Sequence, residues 1–470
     1  MQIPKSVVAL VGIVHSGRAF QTATLSSMGG GVSRRAAAPV AATQRQAETT
    51  AVVETSKTSL ELESYQVVAG EVASSFEPLS FNPVPWLSNC HIQTIGAFFV
   101  RDKPQCAHVK NIGSLIAALV APSPPSSSDF WDRRERIETP DKDWFHVDYK
   151  FVKNDNSNDE EEDRQFSRGT MIILHGLQSN SESSLSIDMA KAFLEIGLDV
   201  ACINFRGCSG TPNDTIGGYH LGFTDDLLLF LEQNSGVLQG PVYLSGFSLG
   251  ANVVVKALGE LQERAVEQYN IAGAAAFCIT LDAERNAPYL GRQGINRWVY
   301  TNNLLQSLKK VCQDKQERFA NDANDEFDYD RAMASETITD FDDAFVAPIY
   351  GFDDAIDYYR QTSSAYFLER VAVPTLILNA RDDPFLDPTY FPDELTREHG
   401  GLAPVKMVRT EHGGHLGFVF HQPPTGEEQP STSWGPHEMA RFIQHVHDKK
   451  TSSEPTETQQ RIDRATRKER

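Results

Sequence analysis

From about residue 170 onward, the chain contains short apolar runs that are separated by longer, more polar segments. A run of about four to eight apolar residues is typical of a strand that is covered on both faces. The runs that predict strands are TMIIL, DVACIN, PVYLSG, IAGAAAFCIT, VPTLILNA and PVKMVRT.

The segments between the first of these strands have apolar residues at helical spacing. They are SIDMAKAFLEIG, TDDLLLFLEQNSG and ANVVVKALGELQ. In the second helix we expect Thr224 to be the N-cap, with Asp225 and Asp226 in the first turn. Strands that alternate with helices predict an α/β fold, in which a mostly parallel sheet lies between two layers of helices.

The alternation stops between about 285 and 370, where the sequence is helical in pattern, mixed in charge and rich in aromatic residues. Because this stretch lies between two predicted strands of the sheet, we interpret it as a helical insertion or cap. A further strand, HVDYKFV, is predicted ahead of residue 170. An acidic stretch, residues 154–165, follows it, and we interpret this as a solvated hairpin connection in preference to a metal-binding cluster.

The two ends of the chain differ in composition from the middle. Residues 1–50 hold five basic residues before the first acidic one, Glu48, and are rich in Ala, Ser, Thr and Gly. They predict a targeting segment for a plastid, a mitochondrion or the endoplasmic reticulum, the alternative being a disordered tail. The apolar run VVALVGIV is too short to cross a bilayer as a helix, which needs about 20 residues. Residues 448–470 are polar and predicted to be disordered, which leaves 75–447 as the folded domain.

Charge and cysteine content exclude several classes of protein. The formal net charge is −20, so the chain would repel a phosphate backbone, and we expect no nucleic-acid partner. The six cysteines include no CxxC pair, so we expect neither a disulfide framework nor a structural zinc site.

The stretch GFSLG places Ser248 between Gly246 and Gly250, after a predicted strand and before a predicted helix. Strand, G-x-S-x-G and helix in that order are typical of a nucleophile elbow, a tight turn that exposes the serine hydroxyl. The glycines suit positions where a side chain would strike the neighbouring strand or helix. The pattern therefore predicts Ser248 as a nucleophile.

A serine nucleophile needs a base, and the base needs an acid that orients it. Asp383 follows the strand TLILNA and is our candidate for the acid, with its neighbour Asp382 as the alternative. His415 follows the last predicted strand after two glycines and is our candidate for the base, with His412 as the alternative. The order serine, aspartate, histidine is the one found in α/β-hydrolases.

An acyl-transfer site also needs donors for the negative oxygen of the tetrahedral intermediate. The backbone N–H of Leu249, directly after the serine, is one candidate. The N–H of Leu177, after the strand TMIIL, is the other. We interpret His175 as a structural hydrogen-bonding residue behind this loop. Such a site requires no metal and no organic cofactor.

Several motifs together resemble the YheT-like branch of the α/β-hydrolases, which includes abhydrolase-domain proteins 1 and 3. The motifs are FNPVPWLSNCHIQT (81–94), HGLQSNSES (175–183), NFRGCSGTPN (204–213), GYHLGFTDDL (218–227), GFSLGAN (246–252), FDDAFVAPIYGFDDAIDYY (341–359), DDPF (382–385) and GGHLGF (413–418). The resemblance covers residues from about 80 to 447, and the first and third motifs are its most specific parts.

The resemblance implies hydrolysis of carboxylic esters of short- or medium-chain acids, acylglycerols or phospholipids. It implies Ser248 as nucleophile, Asp383 as acid and His415 as base. The expected partner is a small-molecule acyl ester or lipid, and peripheral contact with a membrane stays open. Animal relatives carry an N-terminal membrane anchor, whereas this chain has a basic, Ala/Ser-rich N-terminus, so anchorage is not carried over.

Two other functions stay open at this point. Some relatives transfer the acyl group to an alcohol, and the sequence does not separate a hydrolase from an alcohol acyltransferase. A non-catalytic ligand-binding protein of the same fold is the other alternative. The motif WLSNCHIQT is open as well, as an arm packed on the fold or as a lining of the acyl or alcohol pocket, and we favour the arm. In NFRGCSG we expect Arg206 to pair with a nearby carboxylate.

Overall fold

The computed structural model describes residues 51–101, 113, 115, 130–153, 167–236, 238–319, 326–422 and 433–453. The predicted targeting segment and the acidic stretch 154–165 lie outside these residues. The chain divides into two compact units, Met1–Leu60 and Glu61–Arg470, and the second contains the sheet. This unit begins at Glu61, whereas the sequence predicted that the folded domain starts at residue 75.

A single eight-stranded sheet forms the centre of this unit. Its strands are β1 (Arg133–Glu138), β2 (Trp144–Lys150), β3 (Thr170–Leu174), β4 (Asp199–Asn204), β5 (Val242–Phe247), β6 (Ile271–Phe277), β7 (Thr375–Ala380) and β8 (Val405–Thr410). The spatial order is β1-β2-β4-β3-β5-β6-β7-β8. β2 pairs antiparallel with β1 and with β4, and every other neighbouring pair is parallel. The prediction of a mostly parallel sheet is confirmed.

The burial of each strand explains why some strands could be predicted from the sequence and one could not. All residues of β3, β4, β5 and β7 are buried, as their continuous apolar runs require. The sequence did not predict β1. This edge strand reads RRERIE and buries only Ile137, so neither an apolar run nor an alternating pattern identifies it.

Helices cover both faces of the sheet. In chain order, the described helices with assigned bounds are α1 (Ala51–Ser74), α2 (Cys90–Val100), α3 (Ser184–Glu195), α4 (Asp225–Asn234), α5 (Leu249–Leu261), α6 (Arg264–Glu267), α7 (Ala283–Leu290), α8 (Asn302–Arg318), α9 (Tyr329–Ala334), α10 (Ile338–Phe341), α11 (Ala347–Tyr350), α12 (Ala355–Thr362) and α13 (Trp434–Ser453). Along β3, Ile172 joins the core formed with α4 and α5, and Ile173 joins the core formed with α3 and α13. No described helix combines the length and the apolar character that a membrane crossing needs.

The insertion between β6 and β7 is helical, as predicted for residues 285–370. It contains α7 to α12 and two π-helical turns, Asn296–Thr301 and Asp342–Val346. We call this insertion the cap. It has a small apolar core of its own, formed by Leu305, Cys312, Phe327, Ala332, Phe341 and Ala344.

The predicted start of α4 is confirmed in position, since Thr224 is the N-cap residue and Asp225 and Asp226 lie in the first turn. Thr224 nevertheless has helical backbone angles (φ −93°, ψ −16°), and its side chain makes no capping hydrogen bond. Its hydroxyl instead donates to Glu260 Oε2 at 2.7 Å, so a tertiary contact replaces the local one. The C-terminal boundary also differs from the prediction, because α13 continues to Ser453 and residues 448–453 are helical. Residues 454–470 lie outside the described part of the chain.

The loop after β4, residues 205–224, joins β4 to α4 and contacts the cap. At its start, the Arg206 guanidinium pairs with Asp226 at 2.7 Å and with Asp141 at 2.5 Å, which confirms the predicted pairing with a carboxylate. From the cap side, buried Lys315 donates to Asn213 Oδ1 (2.6 Å) and to two backbone carbonyls of the loop. The Lys315 ammonium group therefore joins α8 to the loop through uncharged oxygens, with no carboxylate at ion-pair distance among the described residues.

We expect Lys315→Met to lower the free energy of unfolding by about 1–3 kcal/mol, because buried Asn213 Oδ1 loses its donor among the described residues and the carbonyls of Thr215 and Gly217 keep only the Asn213 amide as donor. Lys310→Met is the matched control, since Lys310 lies on the same helix and is exposed. Thermal or urea unfolding of both variants measures the difference. Equal stability of the two variants would show that the Lys315 contacts do not hold the cap.

Candidate active site

The turn between β5 and α5 has the backbone geometry of a nucleophile elbow. Ser248 has φ 54° and ψ −120°, a conformation that costs a non-glycine residue about 1–3 kcal/mol. A Cβ on Gly246 would lie 2.5 Å from the backbone of Gly250. A Cβ on Gly250 would strike the carbonyl oxygens at the end of β3, so both glycines are required for this close approach. The turn leaves the Ser248 side chain partly exposed at the carboxyl edge of the sheet.

The predicted nucleophile, base and acid lie together. His415 Nε2 is 3.0 Å from Ser248 Oγ, and His415 Nδ1 is 2.8 Å from Asp383 Oδ2. The side chains of His415 and Asp383 are buried. A carboxylate accepts at Nδ1, so the imidazole carries its proton there and presents the lone pair of Nε2 to the serine hydroxyl.

The alternative acid and base pair with each other at the edge of the site. Asp382 Oδ1 accepts from the Gly414 N–H at 2.9 Å, and Asp382 Oδ2 is 3.4 Å from His412 Nδ1. Burial raises the pKa of the Asp382 carboxyl above its usual range. His412 is about half exposed and, among the described residues, its ring bonds Asp382 and not Ser248. The geometry therefore favours Asp383 and His415 over Asp382 and His412.

The loop after β3 lies against the serine. A Cβ on Gly176 would lie 3.3 Å from Ser248 Cβ. His175 donates from Nδ1 to the Gly176 carbonyl at 2.8 Å and accepts from the Phe205 N–H at 3.1 Å, the structural role predicted for it. Burial lowers the pKa of His175 to about 4, which keeps the imidazole neutral for both bonds. In a trans peptide the carbonyl and the N–H point in opposite directions. The hydrogen bond that holds the Gly176 carbonyl therefore also sets the direction of the Leu177 N–H.

The two candidate oxyanion donors have no internal acceptor in the described part of the chain. Neither the Leu177 N–H nor the Leu249 N–H forms a hydrogen bond to a described residue. Leu249 is the first residue of α5, where backbone N–H groups have no intrahelical partner. Both groups are therefore available to a ligand oxygen.

Cys278, Asp383 and His415 form a group that, among the described residues, could be considered for a metal, because their ligand atoms lie within 4.8 Å of one another. The two His415 nitrogens are already engaged with Ser248 and Asp383. Cys278 Sγ accepts from the Leu416 N–H at 3.2 Å, and burial raises the pKa of the thiol well above its usual value. A thiol binds metals as the thiolate, so this environment does not suit a metal ligand.

The motif WLSNCHIQT forms an arm that supports the loop carrying His415. Asn89 caps α2 by accepting from the His91 N–H at 3.0 Å. The buried Gln93 side chain bridges Leu87 O and the Val419 N–H. Thr94 Oγ1 accepts from the His415 N–H at 2.8 Å. The preferred interpretation of an arm packed on the fold is confirmed for these contacts.

Sequence reasoning missed one neighbour of the candidate base. The ring of Phe385 lies flat on the His415 imidazole, with ring centroids 4.0 Å apart and an interplanar angle of 3°. The motif DDPF contains this residue, but no local pattern indicates which ring it will contact.

The chain is similar in sequence to a family model and to several named proteins. A family model described as alpha/beta hydrolase fold matches residues 169–422. The protein YheT of Escherichia coli (strain K12), named as an esterase, is 31% identical over 356 residues, which span 75% of this chain and 89% of YheT. Phospholipase ABHD3 of Mus musculus is 26% identical over 307 residues, 65% of this chain and 70% of the mouse protein. Medium-chain fatty acid ethyl ester synthase/esterase 2 of Saccharomyces cerevisiae is 25% identical over 305 residues, 61% of this chain and 64% of the yeast protein.

We expect Asp383→Asn to slow the reaction of Ser248 with an organophosphorus probe by roughly a thousandfold, because an amide favours the wrong tautomer of His415. Asp382→Asn is the matched control and should change the rate by less than about tenfold, since its amide oxygen can still accept from Gly414. The rate at which each variant incorporates the probe, followed in samples quenched at successive times, measures both effects. A larger loss in Asp382→Asn would contradict the assignment of the acid.

Proposed function

Because the chain belongs to the α/β-hydrolase fold family, we propose that it is a serine carboxylic-ester hydrolase with Ser248, His415 and Asp383 as its catalytic triad. The observation that carries the proposal is the continuous hydrogen-bond path from Asp383 through both imidazole nitrogens to Ser248. A serine hydroxyl is a weak nucleophile, and a hydrogen-bonded base with an orienting acid activates it. The names of the relatives, which include esterase and phospholipase, support a hydrolase.

In the first half of the reaction, Ser248 Oγ forms a bond to the ester carbonyl carbon while His415 Nε2 takes the hydroxyl proton. The carbonyl electron pair moves to oxygen and forms a tetrahedral oxyanion. Collapse of this intermediate breaks the bond to the alcohol, which leaves with the proton from His415. Asp383 orients the imidazole throughout and stabilises the imidazolium that forms.

In the second half, water replaces the alcohol. His415 takes a proton from the water as it attacks the acyl-enzyme, and a second oxyanion forms. Its collapse returns the proton to Ser248 Oγ and releases the acid. The enzyme then has its original protonation state.

The oxyanion would accept from the N–H groups of Leu177 and Leu249. Two features support this assignment: both groups lack an acceptor among the described residues, and Gly176 lies against Ser248. The loss of one such donor costs about 3 kcal/mol of transition-state stabilisation in serine hydrolases. The His175 bond to the Gly176 carbonyl would hold the Leu177 donor in place.

The proposed substrates are esters of short- or medium-chain acids, or acylglycerols. The relative named for medium-chain fatty acid ethyl esters supports an acyl ester, and the relative named phospholipase supports a lipid. The cap precedes the strand that carries the acid and places Tyr300 beside Phe385, next to the base. We propose that the cap forms part of the acyl pocket.

Labelling with a fluorophosphonate probe tests the proposed nucleophile and base. We expect the wild type to be labelled and Ser248→Ala and His415→Ala to lose labelling by at least about a hundredfold. Ser307→Ala and His412→Ala are matched controls and should be labelled like the wild type, because Ser307 lies on exposed α8 surface and His412 bonds Asp382. A folded wild-type protein that is never labelled would overturn the proposal and favour the non-catalytic ligand-binding alternative.

A second function, alcohol acyl transfer, has one observation in its favour, the name synthase/esterase of the yeast relative. It uses the same acyl-enzyme with an alcohol in place of water. We expect incubation of a medium-chain p-nitrophenyl ester in water with ethanol to give mostly free acid. Chromatography of the products measures the ratio of acid to ethyl ester, and a predominance of ethyl ester would favour the transferase.

A further inference from the structure

Phe385 contacts both the acid and the base of the proposed triad, although no proton passes through it. Its backbone N–H donates to Asp383 Oδ1 at 2.8 Å, which leaves Oδ2 to accept from His415. Its ring lies parallel to the imidazole with the centroids 4.0 Å apart. A single residue therefore fixes the carboxylate through the backbone and covers one face of the imidazole with its side chain.

The stacked ring restrains a motion that the hydrogen bonds leave open. The contacts at Nδ1 and Nε2 hold the imidazole within its own plane, towards Asp383 and Ser248. A ring stacked on the face resists tilting out of that plane and keeps water from that side. The π face of Phe385 also attracts the positive imidazolium that forms when the base accepts a proton.

Residues of the cap contact Phe385 and its neighbour Pro384. Tyr300, in the π-helical turn Asn296–Thr301, packs on the Phe385 ring with centroids 5.1 Å apart. The Tyr300 hydroxyl is 2.9 Å from His91 Nδ1, and burial lowers the pKa of His91, which favours its neutral form. From the same turn, the Asn296 side chain donates to the carbonyl of Pro384. The cap thus bonds the residue before Phe385 and packs on its ring.

We propose that Phe385 is a positioning residue for His415 and that the turn Asn296–Thr301 of the cap holds it in place, an inference that rests on the proposed function. Stacking on the imidazolium stabilises the transition state, where the charge exists, more than the bound ester, where it does not. Its removal should therefore lower kcat and leave KM nearly unchanged.

The test measures kcat and KM with a p-nitrophenyl ester for Phe385→Leu and Phe385→Tyr. Leucine keeps an apolar side chain and the backbone N–H but lacks a π face, so we expect kcat to fall roughly tenfold, with KM within about twofold. Tyrosine keeps the π face and should retain most of the wild-type kcat. Phe98→Leu, the same substitution at a side chain that is 82% exposed, is the control and should change neither constant.

Two kinetic results would overturn the inference: an unchanged kcat in Phe385→Leu, or equal losses in the leucine and tyrosine variants. Unfolding curves identify a variant that has failed to fold. NMR of histidine-labelled protein adds a readout that does not need turnover, because the Phe385 ring current shifts the ring protons of His415. The His415 resonances are those that are absent from the spectrum of His415→Ala. Phe385→Leu should shift them, and Phe98→Leu should leave them unchanged. If no ester is hydrolysed but these resonances move, the proposed function fails while the stack itself stands; if they do not move, the stack is absent.

Discussion

The close approach of β3, β5 and α5 is the constraint on which the site depends. At this point Gly246 and Gly250 have no room for a side chain, because the neighbouring backbone occupies that space. The approach leaves Ser248 in a strained conformation with positive φ, and the packed core on both sides of the sheet supplies the stability that offsets its cost. The backbone of the serine is thus fixed by the packing of the neighbouring strand and helix.

The same sheet brings the other two groups to that edge. The proposed acid follows β7 and the proposed base follows β8, and both strands run parallel to β5. Carboxyl ends of parallel strands meet at one edge, so residues far apart in sequence become neighbours. Asp383 is 135 positions and His415 is 167 positions after Ser248, yet the hydrogen bonds that join the three are 2.8 and 3.0 Å long.

The loop that carries the base requires support from outside the sheet. Leu416, Phe418 and Phe420 all have positive φ angles, which persist only where surrounding contacts determine them. Residues ahead of β1 make those contacts: Gln93 of the arm binds the Val419 N–H, and Arg101, at the end of α2, donates to the carbonyls of Leu416 and Gly417. The arm and the cap therefore hold opposite parts of the site, the arm through the base loop and the cap through the turn after the acid.

The sequence by itself determined the features that depend on local pattern. Continuous apolar runs identified the buried strands, glycine spacing identified the elbow, and the position of polar residues after strands identified Ser248, Asp383 and His415 as candidates. Tertiary structure decided what depends on neighbours distant in sequence. It separated Asp383 from Asp382, redirected Thr224 to Glu260, made a strand of RRERIE through its pairing with β2, and stacked Phe385 on His415. The physical reason is that adjacent residues share one local pattern, whereas the direction of each side chain and the partner it meets are set only when separate segments pack together.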